Sequence, residues 1–583
     1  MTLFKYKPLA TPSTLRLVLI PPNDDSKTND KLQLYLLHKE FSEVRKRYYA
    51  LSYVWGNPDK VHTIGLNGQD FQVTDNLMFF LRRKRTVTLA FWIDAICINQ
   101  DDEAEKSEQI ARMGEIYKNA SSVYAELGPA TEDEQAVVRK IEYLSISVAA
   151  EMQRIQSEEG KTTRAILESI RLPPEFVEPY DNQMWEDLQS FFRRPWWKRV
   201  WIIQEATALH SKGTYLLCGE VEVLLVHALG CSVALHIVGL QQLRRNTPDP
   251  LIKNYSVQRI SRILSKRQGE MVIPLLDVLE DFRGLLATDP RDIVYAALNI
   301  ANDVKEGEVR PDYGASVANV YRAVAVHYLR NTVEPLRILS HCGTAFPNLD
   351  DQPGWASWVP LWQNRFSRSI LSNRITAEDG SKRPAYNPCG IAQFSAELYP
   401  IRMEDNVLLI HGFRIDRISS LSNPCVSRSI RDGVRLVNSW IPKGPTALYP
   451  TGEIIFDAFL KTVVANMSDS ADNPQRGGKA YWDTEKGCFD GGDFEHEGWH
   501  VLRYARMRRL AYSMNGYMAL VSHQAMEGDL LYALFGGSVL YTLRPKGDQF
   551  ILVGECYVHG LMDGEAMQFL ETGQAVTEVV STV

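Results

Sequence analysis

A chain of 583 residues is longer than a single hydrophobic core serves, so two or three domains are expected. Its 45% apolar and 23% charged residues are those of an ordinary soluble globular protein. A net charge of -7, with Lys and Arg scattered along the chain, gives no sign of a basic nucleic-acid-binding surface. The group Arg82-Arg83-Lys84-Arg85 reads as the solvated end of a helix, where cations suit the dipole. The eight cysteines contain no Cys-x-x-Cys, which argues against a disulfide framework or zinc ribbon and for a reducing compartment. The amino terminus lacks the basic and apolar pattern of a secretory signal.

Strand-like runs at Leu15–Ile20 and Leu32–His38 are joined by a polar turn. Tyr49 to Gly56 is the first strongly buried strand, with polar Ser52 inside it. Thr63–Leu66 and Phe71–Val73 flank Asn67-Gly68, the strongest short hairpin signal, and Leu77–Arg85 reads as a short helix. Phe91 to Gln100 is an apolar run holding one carboxylate, Asp94. That carboxylate is either paired or stands at the carboxyl end of a strand, where open α/β sheets place ligands. Asp101 and Asp102 are N-cap candidates, Glu105 has capping-box spacing, and Ile110, Met113, Ile116, Tyr117 and Ala120 recur at helical intervals. With Ser122–Leu127 this makes a βαβ unit, so Tyr49–Trp55, Phe91–Ile96 and Ser122–Leu127 are expected to be adjacent parallel strands.

A helical, polar insertion over 130–184 follows, interrupted at Leu172-Pro173-Pro174. Arg193 to Ala206 reads as one helix with Pro195 in its first turn, placing Trp197, Trp201 and Glu205 on one face. Val223–Leu240 is apolar and reads as a buried helix rather than a membrane span. Ile273–Leu285, Ile293–Ala301 and Val317–Leu329 read as helices, and from Pro353 the chain turns to short strands of an α+β region.

Polar residues at Ser52 to Gly56, Asp94 to Gln100 and Arg199 to Glu205 fall where a parallel sheet would hold a ligand. The alternative is that Asp94, Gln100, Arg199 and Glu205 pair with one another to tie helix to sheet. His496-Glu497-Gly498-Trp499-His500 matches the zinc-protease pattern, but Gly498 stands at the centre of the continuous helix that chemistry needs, and no third ligand is evident, Glu527 being a weak candidate. It is read as a chance match in a loop or helix start, with no metal bound. Cys97 lies in an apolar run and reads as packing, not as a nucleophile.

Three blocks then occur in order. They are Tyr49-x-Leu51-Ser52-Tyr53-x-Trp55-Gly56, Trp92-Ile93-Asp94-Ala95-x-Cys97-Ile98-Asn99-Gln100, and Arg194-Pro195-Trp196-x-x-Arg199-x-Trp201-x-x-Gln204-Glu205. Together they resemble the signature blocks of the fungal heterokaryon incompatibility (HET) domain. The resemblance implies a fungal, cytoplasmic protein of nonself recognition, set off by an unknown protein trigger, whose HET domain drives programmed cell death. It implies a lead-in over 1–47, a HET domain over 48–215, a mainly helical region over 216–345 and a C-terminal α+β region over 346–583.

The same blocks are more distantly similar to Toll/interleukin-1 receptor (TIR) domains, which implies a TIR-like parallel sheet flanked by helices. Ile202 stands where TIR domains carry Cys, and the insertion over 130–184 has no TIR counterpart. Where TIR domains cleave NAD a Glu is catalytic, and that role carries over to Glu205. Ser52, Trp55, Gly56, Asp94, Gln100, Arg199 and Trp201 are then the substrate-binding candidates, with NAD as substrate and no resident cofactor. The other reading of the resemblance is a non-catalytic module that signals by self-association. Neither reading involves nucleic acid or a membrane span.

Overall fold

The computed structural model describes residues 3–22, 31–57, 61–83, 87–156, 170–176, 182–208, 213–243, 255–268, 271–305, 308–343, 354–364, 371, 374–377, 381–390, 397–427, 429–468, 475–480, 482, 489 and 494–583. The chain forms two compact units, Met1–Ala315 and Ser316–Val583.

The first unit is built on a nine-stranded sheet. Its strands are β1 (Thr14–Ile20), β2 (Gln33–Glu40), β3 (Tyr49–Tyr53), β4 (Val61–Leu66), β5 (Gln69–Thr74), β6 (Leu89–Trp92), β7 (Ser122–Glu126), β8 (Thr214–Cys218) and β9 (Val221–Leu224). They lie in the order β5-β4-β2-β1-β6-β3-β7-β8-β9. The three expected runs are adjacent and parallel: β3 pairs β6 on one side and β7 on the other, and β7 pairs β8. Strands buried on both faces read as continuous apolar runs, and Ala50, Leu51 and Tyr53 are accordingly at most 2% exposed. In chain order the strands of the central parallel run are β3, β6, β7 and β8, so the spatial order reverses between β3 and β7. Open sheets of this kind take ligands outside their carboxyl ends at such a reversal.

Two expectations need correction. The Phe91–Ile96 run leaves the sheet after Trp92, and Asp94–Cys97 forms a single helical turn, with Ile98 N donating to Asp94 O at 3.1 Å. The carboxylate of Asp94 accepts the Ala95 backbone N–H at 2.7 Å, an arrangement available at a helix start but not inside a ladder. Nor is Arg193 to Ala206 one helix. Pro195–Lys198 is a 3-10 turn, Arg199 is extended, and a separate helix spans Ile202–Thr207. The break comes from the backbone elsewhere: Val200 N donates to Leu286 O at 3.0 Å and Leu286 N to Lys198 O at 2.6 Å, replacing helical hydrogen bonds. Trp197, Trp201 and Glu205 therefore share no helix face.

Asp102 caps the helix Glu103–Lys118, accepting from Ala104 N and Glu105 N at 3.1 and 3.0 Å. Glu105 does not close the capping box. Its carboxylate takes Asn99 N at 2.8 Å and the buried Arg16 guanidinium at 2.5 and 3.0 Å. In the insertion, Thr131 and Glu134 form a complete capping box at the start of Glu132–Val138, and Ile141–Gln156 packs on the apolar helix Leu225–Leu243. Among the described residues no helix is long and apolar enough to cross a membrane.

The second unit carries the small hairpin β10 (Arg374–Thr376) and β11 (Lys382–Pro384) and an eight-stranded sheet. The sheet comprises β12 (Arg402–Glu404), β13 (Val407–Leu421), β14 (Arg508–Ser513), β15 (Met518–Ser522), β16 (Leu530–Leu534), β17 (Leu540–Lys546), β18 (Gln549–Val558) and β19 (Glu578–Thr582). The path β13-β14-β15-β18-β17-β16 returns to β13, so six of these strands close into an antiparallel barrel. Closure rests on the fifteen residues of β13, whose register shifts near Asp416 and Ser420 turn it from one neighbour to the next. The helices of this α+β unit include Val317–Asn331, Ile430–Asn438, Ile455–Thr462 and Phe494–Ala505. Gly343, at φ +85, lies so close to β18 that a Cβ would stand 2.2 Å from the Val553 carbonyl oxygen.

Candidate functional site

The site is built around the carboxyl end of β3. Ser52 is 1% exposed, an unusual place for a hydroxyl, and its surroundings explain it. Its Oγ accepts the Trp196 indole N–H at 2.7 Å and donates to Glu205 Oε2. Glu205, on the helix Ile202–Thr207, is 3% exposed. Burial, reinforced by the charge of Asp94, pushes its carboxyl up to about 7 against the opposing influence of Arg199, Ser52 and Tyr117. The Tyr117 hydroxyl, from the helix Glu103–Lys118, reaches Glu205 and donates to the Leu51 carbonyl at 3.0 Å.

Asp94 stands beside this cluster, just past β6, and is half-buried. Its carboxylate accepts the Trp55 indole N–H at 3.0 Å as well as Ala95 N–H. Burial raises its pKa, which Arg199, Trp55 and Ala95 oppose. Arg199 acts on both carboxyls through space: its Nη1 is given to the Tyr53 carbonyl, and among the described residues no hydrogen bond joins it to Asp94 or Glu205. The structure thus brings Ser52, Trp55, Asp94, Arg199 and Glu205 together without making them an ion-paired lattice.

The remaining sequence candidates have supporting positions. Gln100 Nε2 donates to the Asp94 backbone carbonyl at 3.1 Å. Gly56 has φ +80, and a Cβ there would meet Asn76 Nδ2 at 2.8 Å, so its glycine is accounted for by the turn after β3. Trp201 donates to Asp292, whose Oδ1 also accepts the Tyr313 hydroxyl at 2.5 Å. Trp197 packs against Phe191, Phe192 and Trp196 and donates to the Phe191 carbonyl at 3.0 Å. Trp55 is 40% exposed and tethered by its nitrogen, which leaves part of its ring open to solvent.

Trp196 and Tyr117 were not singled out from sequence. Trp196 sits in the third block and Tyr117 in phase with the apolar face of its helix, yet each reads as core until the hydrogen bonds are seen. Cys97 is 3% exposed, and burial pushes its thiol up to about 12, as suits packing. Of the two expectations for His496–His500, a loop or a helix start, the structure shows the second, in the first turns of Phe494–Ala505. The His496 side chain lies outside the described residues, while His500 is 7% exposed with Nε2 bonded to the Met467 carbonyl at 2.9 Å. Among the described residues no group of three or more His, Cys, Asp or Glu could hold a metal ion.

Residues 48–205 match the family model described as heterokaryon incompatibility protein (HET), and residues 469–573 match the Het-6 beta-barrel domain. The chain is 27% identical, over 89% of its length and 89% of the relative's, to "Heterokaryon incompatibility protein 6, OR allele" of Neurospora crassa. No solved structure matches.

Proposed function

The chain is a heterokaryon incompatibility (HET) domain protein, and from that premise we propose that it acts in nonself recognition through a HET domain that cleaves NAD and so causes cell death. The domain is taken as residues 48–215, with 1–47 as its lead-in and 216–345 and 346–583 as the helical and barrel-bearing regions that follow. The observation that supports the reading is the convergence of Ser52, Asp94 and Glu205 at the carboxyl ends of β3 and β6, next to the reversal of strand order.

In this reading the bond between ribose C1′ and the nicotinamide nitrogen breaks with its electron pair going to nicotinamide. Water adds to C1′ and releases a proton. Ionised Glu205 stabilises the oxocarbenium-like centre, an effect that grows when water is excluded. Trp55 offers its open ring face to a base, and Arg199 offers its charge to the phosphates. Because Glu205 is 3% exposed, the reaction requires a trigger that uncovers it, supplied by a protein partner or by self-association.

Purified protein should consume NAD, and Glu205→Gln should abolish both that loss and cell death in fungal cells. That same burial favours a second reading, a non-catalytic module that signals by self-association. A stable Glu205→Gln protein that still kills would exclude catalysis at this residue and favour this alternative.

A further inference from the structure

Ser52 Oγ joins two hydrogen bonds whose directions chemistry fixes. An indole N–H only donates, so at 2.7 Å Ser52 accepts from Trp196. The single proton of the hydroxyl is then left for Glu205 Oε2. With Trp196 and Ser52 at 0% and 1% exposure, solvent is shut out from both links.

We infer that Trp196 is a positioning residue for Glu205: its indole N–H, acting through Ser52, holds a donor on Oε2 and so orients the carboxyl and favours its charged form. This rests on Glu205 being the reacting carboxylate, but the arrangement can be tested apart from that reaction. The chain of donors favours the charged carboxylate, as Arg199 does from the segment before the Glu205 helix. Opposing it are burial and the charge of Asp94 from the end of β6. Tyr53 from β3 and Tyr117 from the helix Glu103–Lys118 also face this cluster, and both phenols are held well above their ordinary pKa by burial.

The test uses the full chain with Trp196→Phe, Ser52→Ala and the double variant. The pH midpoint at which Glu205 deprotonates is read from pH-dependent stability referred to Glu205→Gln. Ser52→Ala should raise that midpoint by about one pH unit, Trp196→Phe by about half of that, and the double variant should match Ser52→Ala. At pH 6 any NAD consumption should fall several-fold in Trp196→Phe and recover by pH 8.5. Should Trp196→Phe fail to fold, Ser52→Thr, which keeps the hydroxyl and suits a strand, should hold the native midpoint while Ser52→Ala does not. An unmoved midpoint with uniform loss of stability, or shifts that simply add in the double variant, would overturn the inference. A native protein that consumes no NAD at any pH while the midpoints shift as stated would overturn the enzymatic reading alone.

Discussion

Replacing Glu205 by Gln should make the protein more stable at alkaline pH, not less. The native carboxyl is raised from 4.5 to about 7, so the folded state binds its proton more tightly than the unfolded chain does. Its contribution is therefore fully present below pH 4.5 and is lost as pH rises through 7. A shift of that size corresponds to about 3 kcal/mol, at roughly 1.4 kcal/mol per unit. Gln keeps the shape, accepts the Ser52 hydroxyl and carries no charge to desolvate. At pH 8 the variant should gain up to about 3 kcal/mol, less about 1 kcal/mol for imperfect hydrogen bonding. At pH 5 the two proteins should agree to within about 1 kcal/mol. Thermal or urea unfolding at both pH values measures this directly. A variant weakened by about 3–5 kcal/mol at both would mean that Glu205 has a bonded cationic partner, contrary to the geometry described. Stability gained together with activity lost is the pattern expected of a carboxylate kept for function.

The barrel supplies further tests. Gly343→Ala should destabilise the second unit by more than about 1 kcal/mol, since φ +85 and a Cβ 2.2 Å from Val553 O both disfavour it, and a lower melting temperature would report this. Glu555→Gln strands the buried guanidinium of Arg508, bonded to the carboxylate at 2.5 Å, and should cost about 3–5 kcal/mol in urea unfolding. Glu453 is held down to about 2, although burial acts against this, by Lys461, His559 and Thr451. Its stabilisation is present above pH 4.5 and lost as pH falls toward 2, and Glu453→Gln should flatten that acid limb. Elemental analysis of the purified chain should find no stoichiometric zinc, because His500 Nε2 already serves the Met467 carbonyl. Stoichiometric zinc that disappears in His500→Ala would refute this.

Much of the first unit is legible locally. Asn67 and Gly68 adopt φ 50 and 80, the left-handed pair that a tight hairpin demands, and β4 and β5 pair around them. Asp94 was an anomaly within an apolar run, and the anomaly marks where the strand ends. The segment around Arg199 was misread for the opposite reason. Trp197, Trp201 and Glu205 have helical spacing, but what breaks the helix is Leu286, more than eighty positions further along, and no local pattern carries that information. Trp196 was hidden in the same way, because an apolar ring with one donor looks like core until its acceptor is known. Barrel closure is equally out of reach, since the sequence shows only short strands here and the partners β16 and β19 of β13 lie more than a hundred residues further along.

That β13 is shared by β12, β14, β16 and β19 has a consequence for how this half of the molecule can vary. A strand common to four ladders makes them open together or not at all, so backbone amides along it should exchange only when the whole unit unfolds. A change that bends β13 is then felt everywhere at once, whereas a change in a loop between strands is felt only where it lies. Sequence differences between related chains are accordingly free to accumulate in the loops, and β13 is the part of the unit least able to carry them.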